Sequence, residues 1–326
     1  MKFARRCFPR FASVLTIMFA CVAPTLASDY PKQPIRLLLG YTPGGAADAT
    51  ARSITPKLSE VLGQPVVIEY KPGAGGGIAA EAAARATPDG YTLHLIDSGA
   101  MTILPNIRKV NFDPLSSFTP IGMAADSGLV LVTHPSLPVK TFPELVKLLK
   151  DNPGQYSYAT SGVGGGGHVA AEQLKIATGT SMQHVAYRGG GPAMADLIGG
   201  QIPLAMSTLA PAIPQIRAGT IRALGVTSSK RSAAIPDTPT IAEQGVDNFE
   251  ALNWFAFVGP KGLPDDVVQK VNAALKETLA NKDVQHALQE QGLDAIGGTP
   301  EALMQQVRAD LSKWKTVVQT ANITTD

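Results

Sequence analysis

Ile35-Arg36-Leu37-Leu38-Leu39-Gly40-Tyr41-Thr42-Pro43-Gly44-Gly45-Ala46-Ala47-Asp48 reads as a strand, a tight turn and the first turn of a helix. The run Ile35–Leu39 is short and apolar, as expected of a parallel strand covered on both faces. Beyond the turn, Ala47, Ala51, Ile54, Leu58, Val61 and Leu62 recur at helical spacing. Pro56 falls inside that pattern and predicts a kink or a broken turn. Gly44 and Gly45 let the chain turn sharply and approach a ligand closely. The helix start that follows carries unpaired N–H groups and a partial positive charge. Together they form a site for a carboxylate or a phosphate.

The same unit recurs along the chain. Val66-Val67-Ile68-Glu69 is a strand, followed by the loop Lys71-Pro72-Gly73-Ala74-Gly75-Gly76-Gly77 and a helix over 78–86. A turn at 87–90 leads to a strand over 91–96, and this βαβαβ order argues a parallel sheet with helices on both faces. The pattern restarts with an apolar strand over 129–133. Thr141-Phe142-Pro143-Glu144 is a capping box before a helix to Lys150. A strand over 156–159 leads into Ser161-Gly162-Val163-Gly164-Gly165-Gly166-Gly167 and a helix from His168. A strand over 183–186 leads into Tyr187-Arg188-Gly189-Gly190-Gly191, where Pro192 starts the next helix. Further strands are expected over 202–206, 221–226 and 253–258, with a helix near 213–218. The tail, 265–280, 283–291 and 300–320, reads as helical and is expected to pack on the first unit. Two α/β units with a cleft between them follow, the first made of 28–127 plus 252–326, the second of 128–251. Ligands in such sheets sit beyond the carboxyl ends of strands. The glycine loops, Asp97-Ser98-Gly99 and Ser207-Thr208 all fall there.

Residues 1–27 read as a cleavable export signal. Lys2, Arg5, Arg6 and Arg10 precede an apolar stretch over 11–22, and Thr25-Leu26-Ala27 supplies small residues for a cut before Ser28. The arginine pair suits a twin-arginine or an ordinary secretory signal; Met18-Phe19-Ala20 before Cys21 is a poor lipobox. Cleavage removes Cys7 and Cys21, leaving no disulfide, thiol nucleophile or cysteine metal site. The formal charge of +2 becomes −2 once the four cations of the signal are gone. No basic excess points to nucleic acid, so an anion must be drawn by local dipoles.

Catalytic signals are missing. Gly162 to Gly167 fits GxGxxG formally, but no acidic residue follows between Thr180 and Tyr187, as a dinucleotide site needs. There is no G-x-S-x-G elbow, no H-E-x-x-H and no carboxylate pair by the loops. No cofactor and no metal is expected. His168 either reaches the cleft or packs on its helix. Asp48 either compensates the helix dipole and binds loop N–H groups, or meets a donor on the ligand. Arg188 is either a rim charge or the partner of a second ligand carboxylate.

Several motifs together resemble the solute receptors of the tripartite tricarboxylate transporters, the Bug proteins. They are Pro43-Gly44-Gly45-Ala46-Ala47-Asp48, Pro72-Gly73-Ala74-Gly75-Gly76, Pro88-Asp89-Gly90-Tyr91-Thr92-Leu93, Tyr187-Arg188-Gly189-Gly190-Gly191-Pro192-Ala193 and Pro236-Asp237-Thr238-Pro239-Thr240. The resemblance runs in order through nearly the whole mature chain. It implies two Rossmann-like domains of the Venus-flytrap, periplasmic-binding-protein type. It also implies a non-enzymatic, monomeric receptor that closes on a small carboxylic acid in the periplasm and passes it to a membrane permease. A sensor presenting the same ligand to a membrane signalling protein is the alternative, and an exported α/β enzyme a further one. Expected ligand-binding residues are Tyr41, Pro43, Gly44, Gly45, Ala46, Asp48, Ser98, Ser161, Gly162, Val163, Gly164, Gly165, His168, Arg188 and Thr208. The chain departs from the family pattern at Tyr70, Ala186, Gly165, Gly166 and Pro203. The two glycines remove side-chain donors from the third loop and are expected to leave room for a bulkier acid.

Overall fold

The computed structural model describes residue 1 and residues 30–323; the expected signal and both cysteines lie outside the described residues. The elements run β1 (Ile35–Leu39), α1 (Ala46–Leu62), β2 (Val66–Tyr70), α2 (Gly77–Ala84), β3 (Thr92–Asp97), α3 (Leu104–Ile107) and β4 (Phe118–Thr133). They continue with α4 (Phe142–Asp151), β5 (Ser157–Thr160), α5 (Gly166–Thr178), β6 (Gln183–Ala186), α6 (Gly190–Ile198), β7 (Leu204–Thr208), α7 (Leu209–Arg217) and β8 (Arg222–Val226). Last come β9 (Leu252–Pro260), α8 (Asp265–Ala280), α9 (Lys282–Glu290), β10 (Asp294–Ala295) and α10 (Pro300–Thr320).

The strand order is β2-β1-β3-β9-β4-β7-β5-β6, with β8 and β10 also pairing β4. β1, β2 and β3 are parallel, as the alternation of strands and helices predicts. β9 runs antiparallel to both β3 and β4. β4 is the strand that divides the molecule. Its first part, Phe118 to Gly128, pairs with β9, and its last part, Leu129 to Thr133, pairs with β7 and β8. Only that last part was legible as a strand, because Asp126, Ser127 and Gly128 interrupt the apolar run.

Side chains alternate between the faces of each sheet, as the pleat requires. Leu37 and Leu39 pack with Ile54, Leu58 and the α8 residues Val271 and Leu275 on one face. Leu38 and Ile96 pack with Ala80 and Leu303 on the other. In the second sheet Leu129 and Leu131 face Tyr158 and Val169, while Val130 and Val132 face Met194 and Leu197. Both sheets are therefore covered on both faces, which is why their strands read as nearly continuous apolar runs.

Three expectations are corrected. α1 runs through Pro56 as one helix. Pro56 is exposed, so the carbonyl it leaves unbonded, on the exposed Arg52, faces water. The tail contains a short strand, β10, which pairs with Ala125 and Asp126 of β4. α10 does not stay with the first unit: Leu303 and Val307 pack in its core, but Trp314 and Val318 pack with Leu129 and Val169 of the second.

The passage between the two sheets is pinned by Thr227. Its hydroxyl donates to the Ala251 carbonyl at 2.6 Å and accepts the Leu129 N–H at 2.8 Å. β4, β9 and α10 thus connect the units at one level, beneath a cleft whose walls are the strand ends and their loops.

Candidate functional site

The loops after β1, β5, β6 and β7 surround an inner cavity with an empty volume of about 400 Å³. Gly45, Ala46 and Ala47 line it from α1, Gly166 and Gly167 from α5, Gly190 from α6 and Thr208 from the start of α7. Tyr41, Asp97, Ser161 and Asn253 add polar groups; Leu129 and Phe255 add apolar surface.

Four helix N-termini therefore meet at one cavity, and none has a side-chain cap. The N-cap residues are Gly45, Gly165, Gly189 and Thr208, with no capping hydrogen bond from any side chain. Of the helices away from the cavity, α4, α9 and α10 are capped by Thr141, Asn281 and Thr299, whereas α2, α3 and α8 have no side-chain cap. First-turn N–H groups have no partner within their own helix. Four such turns aimed at one space leave a concentration of donors and positive dipole ends that an anion satisfies.

The turns can crowd together because glycines line the seam. Gly44 adopts φ +88° and Gly189 φ +152°. A Cβ on Gly45 would stand 3.7 Å from the Gly190 nitrogen, and one on Gly191 would stand 3.1 Å from the Pro43 carbonyl oxygen. The Thr42 hydroxyl donates to the Arg188 carbonyl at 3.4 Å. The first loop and the loop after β6 therefore face each other in contact. Gly75, at φ +61°, packs in the same way on the Val163 carbonyl.

Several expected site residues hold these loops from behind. The Gly44 N–H donates to Asp48 at 2.9 Å; Tyr70 and Arg52 donate to the same carboxylate at 2.6 Å and 2.8 Å. Asp48 is thus engaged within its own unit, with Tyr70, one of the departures from the family pattern, as its short partner. Burial by itself raises the Asp48 carboxyl, but the bonds from Tyr70, Gly44 and Arg52 outweigh it and leave the group below its ordinary value. Ser98 lies beneath the cavity floor and donates to Asn253 Oδ1 at 2.9 Å. That bond turns the Asn253 amide so that its nitrogen is available to the cavity.

His168 is buried and stacked on His184, with ring centroids 3.8 Å apart. Its Nδ1 accepts the Gly164 N–H at 3.3 Å, and His184 Nε2 meets the Thr160 hydroxyl at 2.7 Å. The pair buttresses the third loop. Burial lowers His168 to about 4 and His184 to about 3. A histidine buried neutral contributes stability that is complete above its unfolded value and lost as pH falls toward its folded value. The contribution of this pair to stability is therefore expected to fall between about pH 6.5 and pH 4. His184→Phe should flatten that limb in a series of thermal melts, and an unchanged limb would count against the pair as its source.

Tyr41, Gly45, Ala46, Ser161 and Thr208 line the inner cavity. Gly162, Val163 and Arg188 line a second space on the far side of Tyr41. Pro43, Gly44, Asp48, Ser98, Gly164, Gly165 and His168 shape the loops. Sequence reasoning missed the polar and glycine lining residues Asp97, Gly166, Gly167, Gly190 and Asn253, and the apolar ones Ala47, Leu129 and Phe255. α5 begins two residues before the expected start at His168, which turns Gly166 and Gly167 into a first helical turn. The room expected beside Gly166 is partly filled, since a Cβ there would lie 3.0 Å from Asn253 Oδ1. At Gly167 a Cβ would be 2.7 Å from the Met206 carbonyl oxygen, so only glycine fits.

Residues 50–323 match the tripartite tricarboxylate transporter family receptors. The chain belongs to that family. The receptor is 34% identical to the protein BugT of Bordetella pertussis over 318 residues, 95% of this chain and 97% of BugT. It is similar to the R. palustris protein Rpa4515 solved with adipate, with a TM-score of 0.87 and 33% identity over 90% of this chain and 99% of the other. It is similar also to MatC from Rhodopseudomonas palustris with bound malate, with a TM-score of 0.84 and 29% identity over 89% and 100%. The receptor thus has the two-domain α/β architecture of periplasmic binding proteins. Among its described residues no helix is long and apolar enough to cross a membrane, and no group of three or more His, Cys, Asp or Glu is placed to hold a metal ion.

Proposed function

We propose that this receptor captures a small carboxylic acid in the inner cavity, without chemical change, and delivers it to a membrane permease of the tripartite tricarboxylate type. It acts as a monomer in the periplasm, after removal of the segment before Ser28. The observation that carries the reading is the meeting of four uncapped helix N-termini on one cavity. One ligand carboxylate lies on the first-turn N–H groups of α1, α5 and α6. The side chains of Thr208, Ser161 and Asn253 add bonds, and Leu129 and Phe255 pack on the carbon chain. No lysine or arginine lines this cavity, so the attraction comes from backbone dipoles. Malate and adipate in the related receptors support the class of ligand.

Native mass spectrometry of the mature protein, purified without refolding, tests the reading. A retained acid that leaves the protein unaltered and rebinds in calorimetry is the expected result. Turnover of that acid would make the protein an enzyme, and failure of every carboxylate to bind would remove the proposal.

Binding at a seam in contact requires the cleft to open and close. A Cβ on Gly75 would collide with the Val163 carbonyl, and its φ of +61° disfavours any other residue. Gly75→Ala is expected to hold the cleft open. With the best carboxylate at saturation, small-angle scattering should give a larger radius of gyration for the variant than for wild type. Equal radii would mean that this contact does not limit closure.

A further inference from the structure

Tyr70 ends β2, the edge strand of the first sheet, where it stands opposite Leu39 at the end of β1. Its ring packs on the core that holds Ile54 and Leu58 of α1. Its hydroxyl reaches the first turn of that helix and donates to Asp48 Oδ1 at 2.6 Å. Arg52 Nε donates to the same oxygen at 2.8 Å, and Arg52 Nη2 donates to the Tyr70 hydroxyl at 3.0 Å. The three side chains close a triangle. Asp48 Oδ2 lies outside it and accepts the Gly44 N–H at 2.9 Å.

The two carboxylate oxygens thus have different tasks: one is anchored and the other holds the turn. The terminal torsion of an aspartate is soft, so an unanchored carboxylate swings and its hold on a distant N–H weakens. Gly44 needs that hold, because a glycine at φ +88° has no side chain to fix its backbone. Of the two anchors Tyr70 is the stiffer. Its ring is fixed by packing, and a short bond from a hydroxyl to an ionised carboxylate is of the strong class. The Arg52 side chain is 62% exposed, so its ion pair is screened by water and salt. Neither Tyr70 nor Asp48 lines the inner cavity, whereas Gly45, Ala46 and Ala47, which follow Gly44, do. An effect of Tyr70 on a ligand must therefore pass through Asp48 and the first loop.

We propose that Tyr70 is a positioning residue for the ligand: by anchoring Asp48 it holds the first loop in the shape that aims the Ala46 and Ala47 N–H groups into the inner cavity. The assignment rests on the carboxylate reading above and adds to it a residue outside the cavity that sets affinity. The test is a double-substitution cycle on the full mature chain, with calorimetry at pH 7 and succinate, malate, adipate and benzoate as probes. Wild type, Tyr70→Phe, Asp48→Asn and the double variant are compared, with melting temperatures as the check on folding. Tyr70→Phe should weaken the best-bound acid roughly tenfold in the wild-type background and less than about twofold in the Asp48→Asn background. Arg52→Gln should cost less than Tyr70→Phe. Carbon-13 NMR of the Asp48 carboxyl in the free protein gives a second readout, assigned by its absence in Asp48→Asn. The titratable groups facing Asp48 are Tyr70 from β2 and Arg52 from α1 itself, and loss of the Tyr70 donor should move the Asp48 midpoint upward. An equal loss of affinity in both backgrounds, no loss in either, a larger loss in Arg52→Gln or an unmoved midpoint would each overturn the assignment and leave the inner site standing. If none of the four acids binds wild type, the carboxylate reading fails and the role of Tyr70 with it.

Discussion

Gly44→Pro is expected to weaken carboxylate binding by at least two orders of magnitude. Gly44 sits at φ +88°, a region proline cannot enter because its ring fixes φ near −65°. The substitution also removes the N–H that Asp48 accepts at 2.9 Å, the bond that ties the turn to α1. The first-turn N–H groups of Ala46 and Ala47 would then no longer aim at the cavity. Each hydrogen bond to a charged group contributes about 1.5–3 kcal/mol, so losing two is more than a hundredfold. Gly44→Ala separates geometry from the lost donor. Nothing stands within 4 Å of its Cβ except the Gly191 Cα at 4.0 Å, and the N–H is kept. Only the left-handed backbone is penalised, by about 1–2 kcal/mol, so alanine should cost roughly tenfold. Calorimetry with the best carboxylate reads both, and a proline variant that binds like wild type would remove the first loop from the site.

The second large effect concerns Asp97, a buried carboxyl in a cavity read as an anion site. Burial raises it to about 6, against the opposing bonds from Tyr41 and from the backbone N–H groups at Ala100, Asp97 and Gly99. A bound carboxylate nearby raises it further, because two like charges resist sharing one site. Binding should then take up a proton. The sign follows: affinity is highest on the acid side, where Asp97 is already protonated, and falls as pH rises through about 6. Between about pH 5.5 and pH 8 the loss should approach tenfold per unit above the free protein's value. Calorimetry in buffers of different ionisation enthalpy counts the proton directly. Asp97→Asn keeps the shape and the acceptor for Tyr41, and should make affinity nearly independent of pH. A pH-independent wild type would show that Asp97 stays ionised beside the ligand, in which case a donor on the ligand must meet it.

The amino-acid sequence by itself determined the class of the molecule. Strands such as Ile35–Leu39 read as buried because both faces of each sheet are covered, so local composition and tertiary burial agree. The glycine loops announced the strand ends that frame the inner cavity, since glycine readily takes a backbone such as that at Gly44. Local spacing also carried Asp48, whose partner Gly44 lies four residues away.

What depended on distant partners stayed hidden. Asn253 enters the cavity because β9 pairs Asn253 with Ser127 at the crossover of β4, and Ser98 orients its amide from 155 positions away. Asp97 looked like one more loop residue until burial and Tyr41 gave it its character. Arg108 carried no motif, and only the folded loops set it on the same cavity as Arg188. The division of β4 and the spanning of both units by α10 arise from pairing and packing across the whole chain, and a helical or alternating pattern reports only which face is apolar, not which surface it meets. Periodicity and turn chemistry act over a few residues and so are legible in order along the chain. The convergence of four helix starts on one cavity is a fact of three dimensions, because nothing local in a helix N-terminus says whether water, a side chain or a ligand will complete it.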